Sequence, residues 1–198
     1  MILTELNSVP SATLPIAKFA DHLRLGTEFA ETSLQNDLLD VYLRAAISAI
    51  EGKTGRVILQ KSFIWQLTGW RHADAQILPV RPVVSITALR TYDRSGAVTE
   101  YSSDHYDFIP DSQAPAIKAV GSRLPSVSSG GIVEIEFAAG HGATWDEVPS
   151  DLAQAVIILA AQFYENRTGA PDPSGVLPMA VLSLIEPYRP VRLFGGAR

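Results

Sequence analysis

Between Leu152 and Phe163 the chain loses the usual division of a helix into one wet and one dry face. Leu152, Val156, Leu159 and Phe163 recur at helical spacing, Ala153, Ile157, Ile158 and Ala161 fill the other faces, and only Gln154 and Gln162 interrupt them. A helix apolar nearly all round must be buried on nearly all sides. It is either the central helix of the core or one that completes its burial against another subunit. For the second case Val156, Ile157, Leu159 and Ala160 are the packing candidates. Val148-Pro149-Ser150-Asp151 opens the segment, with Ser150 placed to cap the first turn and Asp151 where the helix dipole favours an anion. Tyr164-Glu165-Asn166-Arg167 closes it, which predicts a helix over 150–167.

The same periodicities divide the rest of the chain. Pro15 opens a short helix over about 15–25, and Leu38, Leu39, Tyr42, Leu43, Ala46, Ile47 and Ile50 line a longer one over about 34–52, stopped by Gly52 and Gly55. From Val57 the period changes to two. Phe63, Trp65 and Leu67 alternate with Ser62, Ile64 and Gln66, and Val133, Ile135 and Phe137 alternate with Glu134 and Glu136. Asp93-Arg94-Ser95-Gly96 is turn chemistry between Val83–Tyr92 and Val98–Tyr101, and 106–109 can pair with 116–120. Pro178 opens a last short helix over about 178–186. The expected fold is α+β: one domain over 1–198, a bundle of about four helices with an inserted antiparallel β lobe over about 57–140 and an extended C-terminal arm over 187–198.

That arm combines Tyr188, Val191, Leu193 and Phe194 with Arg189 and Arg192 and is broken by Pro187 and Pro190. Chain ends are often frayed, yet these side chains are poor choices for a merely solvated end and suit a docking arm.

Composition narrows the functional classes. The 198 residues are 46% hydrophobic and 19% charged, enough for one sizeable core. Without cysteine there is no disulfide, thiolate metal site or cysteine nucleophile. The first fifteen residues have neither the basic start nor the apolar stretch of a secretory signal, and the run after Leu152 is shorter than the ~20 residues that span a bilayer. A soluble protein with no membrane partner, remaining in the cytoplasm where it is made, is expected. A net charge of -5 with scattered arginines gives no footprint for nucleic-acid binding.

Chemical motifs mostly fail. Gly52-Lys53-Thr54 resembles the end of a phosphate loop, but the required earlier glycine is Ile47 inside a helix, so a helix terminus is expected. His141 stands alone in a glycine loop, and His105 lies in Asp104-His105-Tyr106-Asp107, where neighbouring side chains on a strand point apart. Glu134 and Glu136 share a strand face and could form a carboxylate pair. No catalytic residue, metal ligand or cofactor site is assigned, and no activity is expected. A small hydrolase using His105 or His141 is the enzymatic alternative, and a cytoplasmic binding module is a third reading.

Taken in order, several short segments resemble the head-tail connector, or adaptor, proteins of long-tailed bacteriophages and related gene transfer agents. They are Ala20-Asp21-His22-Leu23-Arg24, Ala45-Ala46 through Gly55-Arg56, Leu78-Pro79-Val80-Arg81-Pro82-Val83, Ala138-Ala139-Gly140-His141-Gly142, Val148-Pro149-Ser150-Asp151-Leu152 with Tyr164-Glu165-Asn166-Arg167, and Pro187-Tyr188-Arg189. His141 departs from the aromatic residue expected there. The resemblance implies a structural protein of the particle neck, assembled in the bacterial cytoplasm. It would form a homo-oligomeric ring, typically a dodecamer, under the portal protein and offer a platform to a tail terminator or stopper. DNA would pass through the ring without specific binding during packaging and ejection. The arm would then be mobile in the free subunit and order against the portal, with Tyr188, Leu193 and Phe194 as anchors and Arg189 and Arg192 meeting acidic groups.

Overall fold

The computed structural model describes residues 1–25, 33–166 and 177–189. Chain segments close in space form two compact units: Met1–Val9 with Leu59–Ala143, and Pro10–Ile58 with Thr144–Arg198. Strands make up the first and helices the second, so the α+β expectation holds, with a β unit inserted in chain order between two helical segments. The inserted lobe also recruits the N-terminus, which the hydrophobic pattern did not suggest.

Four α-helices occur among the described residues of the helical unit: α1 (Ile16–His22), α2 (Ser33–Thr54), α3 (Ser150–Glu165) and α4 (Met179–Ile185). In α2 the buried residues Leu39, Leu43, Ala46, Ile47 and Ile50 follow the i, i+4, i+7 spacing of one helix face, whereas Leu38, expected on that face, is exposed. Arg44 grips Asp40 one turn earlier at 2.6 Å. The end of α2 settles the Gly52-Lys53-Thr54 motif. Those residues are its last turn, Thr54 Oγ1 donates to the Ile50 carbonyl at 2.8 Å, and Gly55 follows at φ 65°, the left-handed conformation glycine adopts without a Cβ penalty.

Helix α3 packs against α2 and α4 and touches α1. Leu152, Ala155, Val156, Leu159 and Ala160 are at most 1% exposed. Each buried aliphatic side chain of Leu or Val size contributes about 1.5–3 kcal/mol on leaving water. The start of α3 differs from expectation. Ser150 is the first helical residue rather than the cap, and no side chain caps that end. The capping chemistry lies earlier, in the short 3-10 turn Trp145–Glu147, where Thr144 and Glu147 form a reciprocal capping box.

The β unit holds two antiparallel sheets. With β1 (Ile2–Glu5), β2 (Lys61–Leu67), β3 (Ala75–Ile77), β4 (Val83–Tyr92), β5 (Val98–Tyr101), β6 (Tyr106–Ile109), β7 (Ala116–Ala119) and β8 (Ile132–Ala139), the orders are β1-β2-β8-β4-β5 and β3-β7-β6. The hairpin β4–β5 and the pair β6–β7 are as the alternation predicts, and β1 and β3 are additions. Phe63, Trp65, Leu89, Val133, Ile135 and Phe137 are the buried side of the larger sheet, where the rings of Phe63 and Phe137 stack at 5.6 Å. Gly140 ends β8 at φ 137°, and a Cβ there would collide with the Gln60 backbone. The strand can therefore turn only at glycine.

Candidate functional site

The groups that could carry chemistry are dispersed. His105 ends the 3-10 turn Ser103–His105 and is exposed. Ser102 Oγ donates to Asp104 Oδ2 at 3.2 Å and meets His105 Nδ1 at 3.4 Å. In a hydrolytic triad the carboxylate orients the imidazole, which then receives the serine proton. Here the carboxylate sits on the serine and competes for that same proton. His141 is half-buried in the loop after Gly140, where Gln60 N–H donates to the Gly142 carbonyl at 2.8 Å. Among the described residues no three His, Asp or Glu side chains gather where they could share a metal ion.

Glu134 and Glu136 do not act as a free carboxylate pair. Both belong to a network on one face of the larger sheet, centred on Arg90, whose guanidinium meets Glu100 at 3.0 Å, Glu136 at 3.0 Å and Glu134 at 3.4 Å. Tyr92 Oη and Gln66 Nε2 each donate to Glu134 at 3.0 Å. Donating to Glu100 and Glu136 raises the Arg90 pKa, while burial, then the bond to Glu134, raises that of Tyr92. Glu134, 7% exposed, thus has both carboxylate oxygens hydrogen-bonded, as a buried polar group requires. The network ties β2, β4, β5 and β8 together on that face.

In the helical unit, an open groove of about 570 Å³ runs beside the start of α3, lined by Lys18, Asp21, His22, Trp145, Asp146 and Ile157 among others. Lys18 and Asp146 close one part of its rim at 2.9 Å, both well exposed. Across the same helix start lies a second arrangement. Tyr188 Oη donates to Asp151 Oδ1 at 2.7 Å, the Leu152 N–H donates to that same oxygen at 2.9 Å, and the Arg56 guanidinium lies 5.2 Å from the centre of the Tyr188 ring. Arg56 is 6% exposed. Burial first, and then the bond to Asp151, pushes the Tyr188 hydroxyl up to about 12.

These positions revise two expectations. Val156, Ile157, Leu159 and Ala160, expected at a subunit contact, are 0%, 8%, 1% and 0% exposed in the single chain. In the single chain they are covered by α2 and α4, with Ile157 at the edge of the open groove. Tyr188, expected to be a mobile anchor of the arm, is instead pinned in the 3-10 turn Glu186–Tyr188, and Arg189 pairs with Glu186 at 3.0 Å. Val191, Arg192, Leu193 and Phe194 lie outside the described residues. Arg56 and Asp151 were not foreseen as partners of Tyr188. Pro187-Tyr188 at a helix end was the available clue, and nothing in the spacing joined it to the other two. No helix among the described residues is long and apolar enough to cross a membrane.

Comparison with solved structures gives the larger context. The chain is 46% identical to a chain in "Neck of empty GTA particle computed with C6 symmetry", with TM-score 0.90 over 100% of each chain. It is 46% identical to one in "Virion of native gene transfer agent (GTA) particle", with TM-score 0.87 over 99% of each. A chain in "Neck of native GTA particle computed with C12 symmetry" is 43% identical, with TM-score 0.85 over 100% of each. No protein-family model and no curated protein matches. A full-length agreement of this kind defines a class, the structural proteins of particle necks. Within that class, the chain belongs to the neck-protein family of gene transfer agent particles.

Proposed function

We propose that this protein is the adaptor of a phage-like particle: a homo-oligomeric ring, a dodecamer, seated under the portal protein and presenting a platform to a tail terminator or stopper. The observation that carries the proposal is the 46% identity, at TM-score 0.90 over the full length, with a chain from a particle neck. Necks of that kind computed with C6 and C12 symmetry support a ring of chains. The net charge of -5 suits a channel through which DNA moves, because each phosphate neutralised by a cation adds affinity and therefore drag. The protein is made in the bacterial cytoplasm and takes up its place in the neck of the virion. There its work is mechanical, and it needs no cofactor.

Docking falls to the C-terminal arm. Tyr188 and Arg189 form its root, fixed on α3 by the Asp151 contact, and Val191, Arg192, Leu193 and Phe194 are the anchors beyond it. Removing the gene from a producing strain tests the assignment. Filled heads without tails are expected by electron microscopy, and normal tailed particles would sink the adaptor role.

A further inference from the structure

The ring needs a contact between neighbouring copies, and most of the apolar side of α3 is already buried within its own chain. Both edges of the larger sheet can supply that contact. β1 is exposed at every position, and Met1, Ile2, Leu3 and Leu6 are 81%, 61%, 38% and 47% exposed. At the opposite edge Val98, Thr99 and Glu100 of β5 are exposed, Val98 by 54%. An exposed apolar edge is a template for pairing, which proteins usually guard with free charges, prolines or bulges. Neither strand contains a proline. The acid on each edge is already turned onto its own sheet: Glu5 is held by Lys61 at 3.2 Å and Glu100 by Arg90 at 3.0 Å.

Backbone register identifies the outward groups. The Leu6 N–H donates to the Ser62 carbonyl at 2.8 Å, so Ile2, Thr4 and Leu6 face β2 and the alternation turns the N–H and C=O of Leu3 and Glu5 outward. On the other edge the Asp93 N–H donates to the Ala97 carbonyl at 3.0 Å, which makes Thr99 and Tyr101 the positions bonded to β4 and turns Val98 and Glu100 outward. Among the described residues, each edge therefore offers two residues whose backbone groups point away from the sheet. Every neighbouring pair along β1-β2-β8-β4-β5 is antiparallel, so β1 and β5 run in the same direction.

A cyclic ring is built from heterologous contacts, in which two different surfaces of each subunit meet. We infer, resting on the ring-forming role proposed above, that β1 of one copy adds in parallel to the free edge of β5 on the next, joining the sheets into one belt around the ring. The occupant of each edge is thus a second copy of this chain. The cyclic symmetry of the similar necks and the two disarmed, equally short edges both point to it.

Solving the neck of particles built with this chain tests the inference directly. β1 should lie about 4.8 Å from β5 of the adjacent copy, with the backbones of Leu3 and Glu5 bonded to the segment around Val98 and Glu100. A ring whose copies meet elsewhere, both edges facing solvent or another protein, overturns the belt and leaves the ring intact. A neck lacking any ring of this chain overturns both. As a second measurement, Leu3→Pro removes one outward N–H and none facing β2, and Val98→Pro does the same at the other edge. Each variant should keep the wild-type circular dichroism and thermal midpoint yet fail to complete rings. A mixture of the two should give one-to-one dimers, because each retains one good edge. Wild-type ring yield from folded Leu3→Pro protein overturns the belt, and should that variant not fold, the neck structure decides alone.

Discussion

The Tyr188 hydroxyl lies 2.7 Å from a carboxylate oxygen of Asp151, so the residue that ends the last described turn is fastened to the first turn of the central helix. The same carboxylate oxygen accepts the Leu152 N–H, and Arg56 lies over the phenol ring. A single acid at the start of α3 thereby holds the turn Glu186–Tyr188 against that helix.

Tyr188→Phe keeps the ring over Arg56 but deletes the hydrogen bond. A bond to a charged group is worth about 1.5–3 kcal/mol, and partial exposure of this one reduces the expected loss to about 1 kcal/mol by urea unfolding. The pH dependence has a definite sign. Because the hydroxyl is raised to about 12 in the folded chain from 10.0, its contribution is complete below pH 10 and disappears as pH rises through 12. The stability gap between wild type and Tyr188→Phe should close over that window. A gap that persists beyond pH 12 would show that the hydroxyl is not its source.

Ile157→Asp should prevent folding rather than only weaken assembly. Ile157 is 8% exposed, and an unpaired charge placed in the core costs several kcal/mol, a large part of a domain's stability. Leu159→Ala is the milder companion, with an expected loss of about 2–5 kcal/mol. Wild-type urea midpoints for both variants would show that α3 is covered by something other than its own chain.

Much of this core was legible in advance, because periodicity reports burial directly. Leu152, Val156 and Leu159, the hairpin on either side of Asp93, and the alternation of Phe63, Trp65 and Leu67 all stand where their spacing put them. What covers an all-apolar helix is a matter of packing, and sequence alone left another subunit as an equal choice. Strands β1 and β3 depend on partners distant in the chain, which no local pattern reports. The capping box Thr144-Trp145-Asp146-Glu147 could have been read from its spacing, but Ser150 stood nearer the apolar run. The Arg90 network was out of reach for another reason. Its members come from β2, β4, β5 and β8, and only the strand register makes them neighbours.

That network yields a prediction of coupling. Arg90→Met removes the cation that contacts Glu134 and leaves a nearly buried carboxylate among other acids. The expected loss is about 3 kcal/mol, since breaking a buried pair strands the remaining charge. Adding Glu134→Gln should recover a good part of it, and a double-mutant cycle by chemical denaturation measures the difference. Additive losses would mean that the carboxylate finds enough water to do without Arg90.

The root of the arm makes two truncations unequal, although they differ by only two residues. Cutting after Pro187 removes Tyr188 and with it the tie to Asp151 and Arg56, whereas cutting after Arg189 keeps that tie and removes residues 190–198 alone. The shorter chain should therefore lose about 1–3 kcal/mol relative to the longer one, reflecting the lost hydrogen bond and cation–π contact. The longer one should unfold at the wild-type denaturant midpoint. In particles the two should behave alike, because both lack Val191, Arg192, Leu193 and Phe194, the anchors assigned to docking. Filled heads without tails are expected from either. If the cut after Arg189 gives normal tailed particles while the cut after Pro187 does not, the clasp matters for assembly through stability alone, and residues 190–198 have no docking role.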